Sequence, residues 1–248
     1  MRFITALAAV TVLTAPAISA QDAAPDKPVK VVADLGFVNA SGNTEVTTLN
    51  LGEKLTWKPA GSRFSFTEAA KYVYGKTDGE KTADQVVLEG RVDFAITKRL
   101  SAFGGASYDR DPFAGIDKRF TEPVGLSWLA LDAKKNKLTL EGGAAFVQVT
   151  YTELQDNGEF GDEFATARAA GTYKWLFSEK GYFQLFGEYL PGLQEGIGYR
   201  VNSEAAVVAP IAGIVALKVS YLVRYNSEPP AGFKTTDRTF TTGIQITP

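Results

Sequence analysis

The chain has no cysteine and no histidine among its 248 residues. Without thiols there is no disulfide framework, no thiolate metal site and no lipid anchor on a processed N-terminal cysteine. Without imidazole, Ser-His and Asp-His machinery lacks its proton carrier near neutral pH. An all-carboxylate arrangement is the chemistry left, and nothing in the sequence marks a sugar site for one. The glycine-rich phosphate-binding patterns are missing as well. The chain is therefore expected not to be an enzyme and to carry no cofactor. An excess of charge is also lacking: Lys plus Arg number 26 against 28 Asp plus Glu, and no basic cluster occurs, so nucleic acid is not an expected partner. Beyond the first twenty residues no apolar run approaches ~18 residues, so no helix is expected to span a bilayer.

What is present starts with an export signal. Met1 and Arg2 precede an apolar run from Phe3 to Val12, and Ala17-Ile18-Ser19-Ala20 then leads into the polar Gln21-Asp22. Residues 1–20 read as a signal peptide, and loss of Arg2 with it takes the net charge from −2 to −3. Residues 21–30, with Pro25 and Pro28, read as a disordered periplasmic lead-in. Residues 31–248 are left as one domain, a size that suits a single all-β unit.

From Val31 onward a period of two dominates. Val86, Leu88, Gly90, Val92, Phe94 and Ile96 alternate with Gln85, Glu89, Arg91, Asp93 and Thr97. The same phase recurs as Leu49, Leu51, Leu55 and Trp57 against Lys54, and as Val219, Tyr221 and Val223 against Lys218 and Arg224. These segments run ~10–13 residues, longer than the ~5–6 of soluble strands and suited to a tilted membrane strand of ~9–11. Aromatics gather at segment ends (Trp57, Tyr72, Tyr74, Tyr108, Trp128, Tyr151, Trp175, Tyr182, Tyr189, Tyr225), as interfacial girdles require. Glu53, Glu68, Glu122 and Glu188 fall on the apolar phase, which would turn four carboxylates toward lipid.

Turn residues divide the chain into short connections at 58–62, 98–99, 132–136, 177–181 and 210–213, and longer ones at 76–84, 110–118, 153–161, 191–198 and 226–236. The first connection, 41–45, is the one short member of the second set. This spacing predicts an all-β fold: a single antiparallel transmembrane β-barrel of about twelve strands, with short periplasmic turns and long outer loops. Its expected surroundings are outer-membrane lipid and lipopolysaccharide, and its expected partner in biogenesis is the barrel-assembly machinery.

Two polar sets stand out. Asp109, Arg110, Asp111, Asp117 and Arg119 form a dense block predicted in an outer loop, where acids and arginines pair across the turn; Asp109, Asp111 and Asp117 are also weak candidates for a hard divalent cation. Lys54, Lys71, Glu89, Arg91, Asp93, Glu204, Lys218 and Arg224 are predicted to line the lumen. There they either tune ion selectivity in a small pore or form a salt-bridged plug.

Ser41-Gly42-Asn43-Thr44, the Tyr108-Asp109-Arg110-Asp111-Pro112-Phe113 and Gly115-Ile116-Asp117-Lys118-Arg119 runs, Asn202-Ser203-Glu204, and Lys218-Val219-Ser220-Tyr221 resemble the YdiY-like family of salt-induced outer-membrane proteins. The resemblance runs from about Val31 to Ile246. It implies an outer-membrane barrel with no assigned activity or ligand, and a link to salt or osmotic stress. The expected function is a small passive channel or an envelope-stabilising protein of salt or osmotic stress, without catalytic activity; the competing class is a non-conducting barrel that binds a lipid or other amphiphile. A soluble periplasmic β-protein with the same alternation is the alternative to both.

Overall fold

A computed structural model describes residues 28–40, 46–155, 158–230 and 232–248. The signal peptide and the turn at 41–45 lie outside the described residues. Twelve antiparallel strands run in chain order: β1 Val29–Ala40, β2 Val46–Trp57, β3 Phe64–Thr77, β4 Glu80–Ala95, β5 Leu100–Asp111 and β6 Ile116–Asp132; then β7 Asn136–Tyr151, β8 Gly161–Leu176, β9 Tyr182–Pro191, β10 Tyr199–Ala212, β11 Val215–Asn226 and β12 Thr236–Ile246. Each strand pairs with its sequence neighbours, and β12 returns to β1 to close the barrel. Closure removes free sheet edges, which is what a β-structure needs where no water can satisfy backbone groups.

The seam between β1 and β12 is short, pairing Ala33, Asp34 and Leu35 with Ile246, Gln245 and Ile244. It is braced from inside. Gln245 Nε2 donates to Asp34 Oδ1 at 3.0 Å, and Lys218 on β11 reaches Asp34 Oδ2 at 2.5 Å.

One end of the barrel carries connections of two to six residues, at 58–63, 96–99, 133–135, 177–181 and 213–214. At the other end, residues 152–160, 192–198 and 227–235 form the longest loops. The expected long connection at 76–84 is not there: β3 and β4 extend to a two-residue turn at Asp78 and Gly79, with φ of 49° and 90°. Asp-Gly supplies the positive φ at both central positions that a tight hairpin turn matching strand twist requires. The 110–118 connection also shortens, to a 3-10 turn at Pro112–Ala114 followed by Gly115. The lead-in ends early as well, since Val29 and Lys30 are already strand.

The alternation sorts residues by face. Leu35, Leu88, Leu126, Leu140, Leu185 and Phe240 all stand exposed on the outside. Trp57, Trp128 and Trp175 sit on the outer face near the short-turn end, and Tyr189 and Tyr199 near the loop end. Two girdle residues are corrected: Tyr151 and Tyr182 face inward, where Tyr151 donates to Asp162 and Tyr182 to Gln245. Glu188 is likewise corrected. Strand β9 reads Tyr-Phe-Gln-Leu-Phe-Gly-Glu-Tyr-Leu, apolar on both phases, so its sequence does not announce which face is inside; buried Phe186 and Leu190 put Glu188 in the lumen. Glu53, Glu68 and Glu122 remain outside, with Glu53 and Glu68 against each other.

An apolar outer surface of this extent is unusual for a chain in water and ordinary for one in lipid. Val124, in the middle of β6, is 59% exposed. Val124→Arg is expected to cost about 2–4 kcal/mol if that face meets hydrocarbon, read from urea unfolding in vesicles. On a water-facing surface the same change stays within about 0.5 kcal/mol, and that result would contradict the lipid-facing assignment.

Candidate functional site

The inner wall mixes buried apolar side chains, such as Val73, Val147, Phe186 and Leu222, with buried polar ones, and its centre is a belt of charge. Arg91 on β4 holds Asp93 through Nε to Oδ2 at 2.8 Å and Nη2 to Oδ1 at 2.6 Å. Its Nη2 also donates to Glu141 Oε1 on β7 at 2.8 Å. Glu141 Oε2 accepts from Arg168 Nη1 on β8 at 2.6 Å, and Arg168 Nε donates to Glu188 Oε1 on β9 at 2.7 Å. Asn202 on β10 completes the run, donating to Glu188 Oε2 at 2.8 Å. Carboxylates and guanidiniums thus alternate from β4 to β9, with the Asn202 amide of β10 ending the run, so every carboxylate oxygen in it accepts from a side chain.

Glycines let the belt cross the wall. Gly125 on β6 faces Gly143 on β7, so this patch has no side chains. The Phe103 ring of β5 lies over Gly125, where an added Cβ would come within 2.9 Å of it. Arg91 stacks on that ring, its guanidinium carbon 4.0 Å from the centroid, and Arg168 approaches the same ring at 5.5 Å. A planar cation over an aromatic face gains attraction that strengthens with desolvation.

All eight residues expected to line the lumen point inward. Arg91 and Asp93 lie in the belt, Lys218 holds Asp34, and Arg224 reaches Asp111 at 3.4 Å. Lys54 and Glu89 line the cavity described below. Glu204 lies beside Lys218, Lys71 and Ser220. Lys71 is 6% exposed, and its Nζ has no hydrogen-bond partner among the described residues.

The 109–119 block divides. Asp109 and Asp111 are not in a loop but on β5, facing in, where Asp109 pairs with Arg119 and accepts from Gln85. Arg110 turns outward and lies 3.8 Å from Asp84. Register shifts at Asp109/Asp111 and Ile116/Lys118 bulge the hairpin, and Asp117 is left exposed. The three aspartates therefore do not converge, and among the described residues no group of three or more metal-ligating side chains does.

Glu141, Arg168, Arg200 and Asp34 are lumen charges that the sequence reading passed over. Glu141 follows Leu140 and Arg168 sits between Ala167 and Ala169, so the outward phase was readable around each. Their partners were not, because every link of the belt beyond Asp93 joins different strands.

A cavity of about 520 Å³ opens between the belt and the loop end. Lys54, Arg91, Arg119, Arg168, Arg200, Arg224 and Lys234 line it against Glu89, Asp109, Glu188 and Asp237, so cations outnumber carboxylates. Pro229, Pro230 and Phe233 of the last loop form part of its roof. The Phe233 ring seats on Gly115 of the 3-10 turn, where a Cβ would come within 2.7 Å of it.

Among solved structures the chain is similar to a NanC porin, with a TM-score of 0.55 and 10% identity, covering 87% of this chain and 98% of that one. It also aligns with the translocator domain of the autotransporter NalP from Neisseria meningitidis, with a TM-score of 0.49 and 12% identity, covering 88% and 86%. The likeness to the porin is one of fold. In sequence it is 26% identical over 208 residues to "Uncharacterized protein YdiY" of Escherichia coli (strain K12), covering 84% of this chain and 78% of that protein. Residues 33–247 match a family described as "Protein of unknown function, DUF481". The twelve-stranded barrel is thus the fold in which this family's sequence pattern is realised here, and the chain belongs to the DUF481 family.

Proposed function

We propose that this protein is a narrow channel of the outer membrane, passing small hydrophilic solutes without catalysis. The observation that carries this reading is the charged cavity of about 520 Å³ inside a barrel whose outer face is apolar. Short turns on the periplasmic side and long loops outside are the usual arrangement for such barrels, which puts the cavity at the outer mouth. Below it, the Arg91–Glu141–Arg168 belt forms the constriction, and its charges set which ions enter. The family resemblance adds a link to salt stress, in which a passive channel would move small osmolytes.

The continuous pairing of the belt favours a second reading, a closed barrel with a structural or amphiphile-binding role. Swelling of proteoliposomes in sugars of increasing size separates the two. The channel reading expects swelling that falls off with solute size, and intact barrels that never swell would overturn it. In a conducting barrel, Arg91→Ala removes a positive charge from the constriction and is expected to move the reversal potential under a KCl gradient toward cations. An unchanged reversal potential would remove the belt from the selectivity filter.

A further inference from the structure

The charges of the outer cavity are unevenly spent. Asp109 is committed to Arg119 and Gln85, and Glu188 to Arg168 and Asn202. Arg200 on β10 lines the same cavity but makes no ion pair among the described residues; its contact is with the ring of Phe164, 5.9 Å from the guanidinium carbon. Its electrostatic neighbours are Arg119, Glu188, Tyr151 and Asp109, and both of those carboxylates are hydrogen-bonded to other side chains. Only the Nη2 of Arg119 is used on Asp109, and a guanidinium has five N–H donors. Two guanidiniums with unused donors, one on β6 and one on β10, therefore face the same cavity.

Like charges held together in a confined space repel each other, and an anion between them reverses the sign of the interaction. Guanidiniums match the planar oxygens of carboxylate and phosphate. Around them Phe113, Phe186, Leu190, Pro229 and Phe233 supply apolar walls, and the cavity volume falls in the range of small-molecule sites.

We infer that the outer cavity is a binding site for a small organic anion, whose carboxylate or phosphate group sits at Arg200 and Arg119 while its body rests on the apolar walls. This rests on the channel reading for its biological setting, since the site then selects which solutes reach the belt.

Single-channel recording tests it with gluconate and glucose 6-phosphate on the loop side and glucose as the neutral control. The expected result is an anion-preferring channel, blocked by the two anions at concentrations where glucose has no effect. Whichever anion blocks at the lower concentration identifies the headgroup. Arg200→Gln is expected to raise the blocking concentration about ten- to a hundredfold, the usual loss for a charge-assisted contact. Arg200→Lys keeps the charge and is expected to retain the anion preference. Heat-modifiable migration confirms that both variants are folded. A cation-preferring channel, or equal block by glucose, would overturn the inference and leave the channel standing. If the protein never conducts, the channel reading fails, and titration calorimetry of the detergent-solubilised protein still reads the site. Binding of either anion that is lost in Arg200→Gln supports the site; no binding overturns it.

Discussion

Glu141→Ala is expected to destabilise the folded barrel by about 3–5 kcal/mol, measured as the urea midpoint in lipid vesicles. The Glu141 side chain is fully buried between Arg91 and Arg168, and it accepts from both. Truncation leaves two guanidiniums facing a void, and Arg168 must then rely on Glu188 alone for counter-charge. Losing one partner of a buried ionic cluster costs more than forming the cluster gains, because the remaining charge is already desolvated. Glu141→Ala combined with Arg168→Ala restores the balance, and the double variant is expected to lose less than the sum of the two single losses, with a coupling of about 1–3 kcal/mol. A Glu141→Ala midpoint equal to wild type would show that the belt does not hold the wall together.

Gly143→Ala is expected to cost about 3 kcal/mol or more, or to prevent a heat-modifiable barrel from forming. A Cβ at this position would stand 2.1 Å from the Val124 carbonyl oxygen and 2.8 Å from the Gly125 Cα. Both obstacles are backbone of the adjacent strand, so no rotamer change relieves them, and β6 must move away from β7 at the point where Phe103 and Arg91 cross. Gly142→Ala is the internal control. Its Cβ meets nothing within 4 Å on the outer face, and the change is expected to stay within about 0.5 kcal/mol. Equal behaviour of the two variants would mean that the strands approach less closely than described.

The strands were legible in the sequence because membrane barrels write their two faces in a strict period of two. Where one phase is apolar and the other polar, as over Val86 to Asp93, both the element and its facing could be read. Strand β9 shows the limit: with Phe183, Leu185 and Tyr189 on one phase and Phe186 and Leu190 on the other, the sequence alone gave Glu188 the wrong side. Connections were less legible than strands. Polar residues from Lys76 to Asp84 look like a loop, yet hairpin geometry at Asp78-Gly79 lets most of them pair as strand beyond the apolar band.

The site was half legible. Inward charges such as Lys54 and Arg224 follow from phase, but which of them meet depends on the closed wall. Arg91 and Glu141 are 50 positions apart and join across two intervening strands because Gly125 and Gly143 leave room for it. Asp109 and Asp111 kept their places on one strand, while a bulge in the facing strand sent Asp117 outside. A bulge of one residue is invisible to composition and decisive for convergence.

In the proposed function the ionic belt is a constriction in an open lumen and not a plug. Single-channel conductance of the purified, heat-modifiable protein in a planar bilayer tests it most directly. Discrete, reproducible current steps whose ion preference shifts in Arg91→Ala are the predicted result. A correctly folded barrel that inserts and leaves the membrane silent at every salt concentration would contradict it.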